Sequence, residues 1–232
     1  MTAVLGALRV IVWLLPPGPF KNALLRLLGD SVGSGVRLGP NLVLGHVRFV
    51  LADGASIGSL NVFRALREVR LDEDAYIGNL NQITAVPDYR AHDPAFGLLH
   101  LSPGAGMTNR HYVDCSGRFM VGTFSMIAGV RSVFQTHELD LVDNRARAGD
   151  IVVGDRCFTA TGVQMLQNSY LPDRSLLASG STRTRTAAGD PPGQLYAGTP
   201  ARACKDISGW AWFDRDVVHT PVELDGTSET VR

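Results

Sequence analysis

Apolar residues recur along this chain every six positions, a step that belongs neither to a helix nor to a strand with one wet face. Val32, Leu38, Leu44 and Val50 keep the step, and after a one-residue slip Leu51, Ile57 and Phe63 resume it. Leu71, Ile77 and Ile83 follow, then Val121, Ile127 and Val133, and finally Val153, Thr159, Met165, Leu171 and Leu177. A small residue echoes the anchor one position later, at Gly33, Gly39, Gly45, Gly58, Gly78, Gly122 and Gly154, and at Ala128, Ala160 and Ala178. The pattern predicts an all-β chain, a parallel β-helix in which each coil has three short strands, one hexapeptide to a side. Anchors point inward and stack at about 4.8 Å, the interstrand spacing. The small residues are expected to turn the corners, with Gly free to take φ > 0. No coil can bury its apolar side alone, so the stack is a one-dimensional solenoid. Such a prism has no cleft of its own, and chemistry belongs on its loops or between neighbouring prisms.

The ladder covers residues 30–202. Residues 1–29 read as a helical segment, two helices parted by Pro16 to Pro19, with Leu24, Leu25, Leu27 and Leu28 on the second. Capping the open base of the prism is one role for them, since bare strand edges invite pairing. Interfacial membrane contact through residues 1–28 is the other, with Trp13 on the apolar run and Arg9, Lys21 and Arg26 nearby. The step fails from about residue 84 to 120, read as a loop that leaves the prism and re-enters near HYVDC. A second, charge-rich break spans 138–150. Residues 203–232 form an extension whose stretch from 222 onward is polar.

Composition narrows the class. Hydrophobic residues make up 45% of 232, enough for a core. Lys plus Arg and Asp plus Glu stand at 22 each, which argues against a nucleic-acid partner because phosphate binding needs a net cationic face. Cys115, Cys157 and Cys204 are widely spaced and make neither a disulfide framework nor a CxxC site, as in a reducing compartment. The apolar run 4–15 is shorter than the ~20 residues of a spanning helix. It is followed by Pro16, Pro17 and Pro19 rather than a cleavage site. The expected location is cytoplasmic, with a membrane-peripheral variant through the first helices.

The hexapeptide ladder, the segment LLASGSTRTRT and the close GTPAR (Gly198 to Arg202) together resemble the hexapeptide-repeat acyltransferases. That resemblance implies a left-handed parallel β-helix assembled as a homotrimer, acetyl-CoA as donor, no metal, and active sites between adjacent subunits. Acyl transfer to a hydroxyl needs a base, and an imidazole titrates near working pH. Similar proteins place the catalytic His where His137 stands, in SVFQTHELDL, one coil before a segment like IVVGDRCFTATGVQ. His111 and Asp114, in NRHYVDCSG, form a second cluster that could face the same cleft or orient the imidazole; Glu138 and Asp140 are open as alternatives. His46 reads as structural or surface, His92 and His100 fall in the irregular loop, and His219 lies near the tail. For the donor, the resemblance assigns Ser179, Gly180 and Ser181, with Thr161 one coil earlier, to the pantetheine arm. Arg183 and Arg185 are assigned to the phosphates, Arg185 standing where the family often has Lys. The implied acceptor is a sugar or glycan precursor, through a hydroxyl or, as a variant, an amino-sugar nitrogen. Two other readings compete. A zinc enzyme on this fold needs three close His ligands, which His111 and His137 do not complete. A non-catalytic scaffold explains the ladder but leaves His137 and GTPAR without a role.

Overall fold

A computed structural model describes residues 2–185 and 189–217. His219 and the polar stretch 222–232 lie outside the described residues. The ladder forms three parallel sheets that share seven coils. The first face runs from strand Ser31–Val32 up to Ser169–Leu171, the second from Arg37–Leu38 to Leu176–Leu177, and the third from Leu42–Leu44 to Thr182–Arg183. Coils return to register after about twenty positions, Arg48 beside Glu68 and Leu98 beside Arg118.

That return explains the slip in the ladder. From the second coil to the sixth, first-face strands are four residues long and send two side chains inward, as Phe49 and Leu51 do, or Phe119 and Val121. The hexapeptide count therefore gains a pair of positions per coil. Three residues placed in the ladder on spacing alone are corrected by it. Leu44 is exposed and Val43 points inward; Val50 lies between the inward Phe49 and Leu51; Phe134, not Val133, fills the third face of its coil.

The glycines after the anchors are also not what was expected. Gly45 has φ 82°, but Gly58 and Gly122 do not adopt the left-handed region. They are small because a Cβ at Gly58 would lie 2.5 Å from the Gly78 carbonyl oxygen, and one at Gly122 2.6 Å from that of Gly154. Left-handed backbone falls instead on turn residues such as Leu60, Leu80, Arg110 and Arg131, which stack at the edge between the second and third faces.

The loop expected over about 84–120 is much shorter. Strands Leu98–Leu101, Gly106–Met107 and Tyr112–Asp114 make a full coil, hydrogen-bonded on both sides. Only residues 85–97 leave the prism, including the short helical turn Pro87–Ala91. The inward set Leu101, Met107 and Val113 keeps the six-residue step. Pro103, Gly104 and Gly106 had masked it. The second break is an antiparallel hairpin, His137–Asp140 with Arg145–Ala148. Both excursions leave from the same edge, between the third and first faces.

At the base, helices α1 (Thr2–Leu14) and α2 (Pro19–Leu27) plug the prism. Trp13 is fully buried, its ring 4.2 Å from that of Phe49. The Lys21 ammonium donates to the carbonyls of Trp13, Leu15 and Gly39 at 2.7–2.9 Å, tying α2 to strand ends that have no further coil to pair with. Arg9 turns inward to the buried Asp30 carboxylate at 2.5 Å. Trp13, Arg9 and Lys21 thus serve the cap, and none is free to touch a membrane. Among the described residues no helix is long and apolar enough to cross one. At the other end, strands Gln194–Gly198 and Ala201–Asp206 form a hairpin on the second face, with GTPAR as its turn. The ordered unit therefore passes residue 202, because the returning strand covers the sheet's last edge. Trp212 then packs on Phe158 at 5.1 Å as the chain descends along that face.

Candidate active site

Asp114 ends the third-face strand of the fourth coil, and Gln135 lies beside it in register one coil up. His137, two residues past Gln135, thereby swings over the carboxylate. Its Nδ1 is 2.8 Å from Asp114 Oδ2. Asp114 follows the inward Val113 and ought to face solvent, yet it is buried, because the next coil and the excursion close over it. Thr136 donates to Oδ2 from its backbone N–H at 3.0 Å and its hydroxyl at 2.7 Å; Ser116 Oγ donates to Oδ1 at 2.5 Å and accepts the Val86 N–H at 3.0 Å. Oxygens met by so many donors hold the carboxylate in one orientation. That carboxylate fixes Nδ1 as the protonated nitrogen and leaves Nε2 as the lone-pair side, with no protein partner among the described residues. His137 and Asp114 line a cleft of about 420 Å³ with Gln82, Pro87 and Tyr112. The ring of Tyr89, carried on the excursion, stands 5.5 Å from the imidazole. Burial, with Asp114 and Asp88 adding negative charge, pushes the Tyr89 phenol up, so it stays protonated.

The alternatives for the orienting partner lie elsewhere. Glu138 takes a hydrogen bond from Gln167, and Asp140 pairs with Arg147 at 2.9 Å in the hairpin. His111 is not brought to the pair. It is buried at the other end of the Asp114 strand, where it continues a ladder of Asn41, Asn61 and Asn81, each taking the next one's backbone N–H at 2.8 Å. Its ring nitrogens meet Thr108 Oγ1 at 3.0 Å and the Ser132 N–H at 3.3 Å, and burial pushes its pKa down to about 4. Cys115 is buried next to Asp114, which raises its thiol well above the usual range, so it is no acyl carrier.

The residues assigned to the donor divide. Thr161, Ser179 and Gly180 are exposed on the edge between the second and third faces, where the Gly180 N–H donates to Thr161 O at 3.0 Å. Ser181 is buried and accepts the Gly198 N–H. Arg183 is corrected outright. It lies six positions after Leu177 in the inward column, beside Met165 in register, and is buried. Its guanidinium donates to Tyr170 O at 2.9 Å, pairs with Asp190 and lies 4.4 Å over the Tyr196 ring. A side chain so engaged is not available to a phosphate. Arg185 points out and lines a separate cleft of about 280 Å³ with Tyr89, Phe96 and Glu138. Within one chain, then, Thr161 and Gly180 stand at one edge of the third face and His137 at the other. Among the described residues no cluster of three metal-ligating side chains forms.

No protein-family model matches the chain, and no curated protein sequence does. Solved structures do. The chain is similar to AntD, an N-acyltransferase from Bacillus cereus, seen as a point variant with dTDP and coenzyme A: 11% identity, 79% of this chain and 88% of that one, TM-score 0.51. AntD with dTDP and 3-hydroxybutyryl-CoA gives 12% identity, 80% and 87% coverage and a TM-score of 0.50. The polysialic acid O-acetyltransferase OatWY gives 14%, 86%, 94% and 0.48. At these identities the likeness is one of fold.

Four contributors were not legible in the sequence alone. Thr136 and Ser116 hold the carboxylate, and Arg110 and Arg131 fill exposed slots on the same edge as Thr161 and Gly180. Aligning the coils at the twenty-position return would have put both arginines there.

Proposed function

We propose that this chain is an acyl-CoA-dependent acyltransferase on a left-handed parallel β-helix, with His137 as general base and Asp114 as the residue that orients it. The observation that carries the reading is the buried Asp114 carboxylate at 2.8 Å from His137 Nδ1, with Nε2 left facing a cleft. In the proposed reaction Nε2 takes the proton of an acceptor hydroxyl as that oxygen attacks the thioester carbonyl. Asp114 stabilises the imidazolium so formed. Collapse of the tetrahedral intermediate breaks the C–S bond, and the imidazolium returns its proton to the departing thiolate. Acyl group, proton and electron pair are then all accounted for without a covalent enzyme intermediate. Tyr89 shields the imidazole on one side and narrows the approach of the acceptor.

Acetyl-CoA is the proposed donor and a sugar or glycan-precursor hydroxyl the proposed acceptor; the CoA chemistry in the AntD descriptions and the acetyl transfer expected from the hexapeptide repeat favour them. A homotrimer is part of the proposal, because only a second copy can bring a Thr161–Gly180 edge against His137. Arg110, Arg131 and Arg185 are exposed cations that we assign to the CoA phosphates. The test is release of CoA thiol from acetyl-CoA across a panel of sugar and nucleotide-sugar acceptors. His137→Ala is expected to lower kcat by ~10²–10⁴ while leaving CoA affinity and assembly unchanged. Near-normal turnover by that variant would overturn the assignment.

A further inference from the structure

Helix α1 has a composition unusual for the surface of a prism. Of its residues, TAVLGALRVIVWL, only Thr2 and Arg9 are polar. Arg9 is drawn inward to Asp30, and Val12 and Trp13 enter the core. The outer side is left with Leu8 at 46% exposed, Ile11 at 59% and Leu14 at 51%, and α2 adds Phe20 at 71% and Leu27 at 83%. Capping explains the inner side of these helices. It gives no reason for the outer side to be apolar, since a cap needs a wet outer face as any surface helix does.

The charges around this end identify what fits it. The chain as a whole is neutral, but its first 52 residues hold Arg9, Lys21, Arg26, Arg37 and Arg48 against the single acid Asp30, which is buried; the exposed acids that reach the first coil are Asp53, which accepts the Ser34 N–H, and Glu73 and Asp74, which share a cleft with Arg37. Arg26, Arg37 and Arg48 are exposed; Arg26 donates to the Val32 carbonyl, which leaves its charge uncompensated, and Arg48 reaches only 3.9 Å from a Glu68 carboxylate that three arginines share. An apolar face rimmed by cations matches a bilayer with anionic headgroups. A second copy seated end to end would set these arginines against their own counterparts. Beside α1, a cleft of about 560 Å³ lined by Leu5, Val10, Leu28 and His46 opens at the same end, with room for a hydrocarbon chain.

We propose that the outer face of the helical cap docks the protein on an anionic membrane surface, with Leu8, Ile11, Leu14 and Phe20 entering the acyl region. This inference is independent of the acyltransferase reading. Co-sedimentation of the full-length protein with phosphatidylcholine vesicles, with and without phosphatidylglycerol, tests it. Binding is expected to be tenfold or more stronger on the anionic vesicles, to fall in high salt, and to be lost in Ile11→Glu/Leu14→Glu. Should that pair unfold the cap, Leu8→Gln/Leu14→Gln and, for the rim, Arg26→Gln/Arg37→Gln read the same loss. Wild-type protein left in the supernatant with both vesicle types overturns the proposal, as does full binding by folded cap variants. A doubling of the assembly's mass in light scattering that the cap variants abolish, without vesicle binding, overturns it in favour of a second copy.

Discussion

Asp114 shows how much at this site turns on single residues. An outward position on a strand became a buried carboxylate because Thr136 and Ser116 supply donors to both of its oxygens. Asp114→Asn keeps the shape and removes the charge that stabilises an imidazolium. We expect kcat to fall about a hundredfold or more with little change in KM for the donor, and the acid limb of the pH–rate profile to shift. Steady-state thiol release across pH checks this; a merely structural carboxylate would leave the profile in place. His111 makes the opposite prediction. Its pKa is lowered by burial from 6.5 to about 4, so between those values the unfolded chain binds a proton that the folded chain refuses. Stability is therefore unaffected above pH 6.5 and falls as pH drops below it, by at most about 3 kcal/mol. His111→Asn continues the ladder of Asn41, Asn61 and Asn81, and should flatten this loss in urea titrations between pH 7 and 5 without touching turnover. His137 was singled out by its place at the second break of the ladder together with the resemblance to proteins that carry a catalytic His there. Its partner was left open, because a choice among Asp114, Glu138 and Asp140 depends on which coil lies beside which.

At the level of the elements, the prism is held by close approach between coils. Gly122→Ala places a methyl 2.6 Å from the Gly154 backbone, which no side-chain movement relieves. The expected loss is about 1–3 kcal/mol, measurable as a lower urea midpoint at constant slope. In the proposed reaction the two excursions are the elements that carry the chemistry. They leave one edge from coils two apart, one carrying Tyr89 and the other beginning at His137. Residues 98–114 were misjudged as loop because Pro103, Gly104 and Gly106 dominate the local signal, while Leu101, Met107 and Val113 keep the step beneath it. Periodicity is reliable where anchors are large, and it fades where turns are crowded with small residues.

For the molecule as a whole, the separation of His137 from the Thr161–Gly180 edge is the decisive geometry. If each active site is built from two copies, mixing two inactive variants, His137→Ala and Gly180→Trp, should restore part of the activity after the subunits are exchanged. Light scattering gives the assembly state, and thiol release the recovery; no recovery from exchanged assemblies would place both halves of the site in one chain. The apolar tip of the hairpin, Leu141 and Val142, is exposed in the single chain. What the sequence determined by itself is the coil: a repeat of six is written in single residues and each repeat contacts only its neighbours, so local pattern and tertiary packing coincide. What only the tertiary structure decided is which side chains meet across coils. Asp114 and His137 are 23 positions apart in the chain and joined by register, and Arg183 was withdrawn from the surface by lying in the inward column. Register depends on the length of every intervening turn and excursion, and no single motif carries that sum.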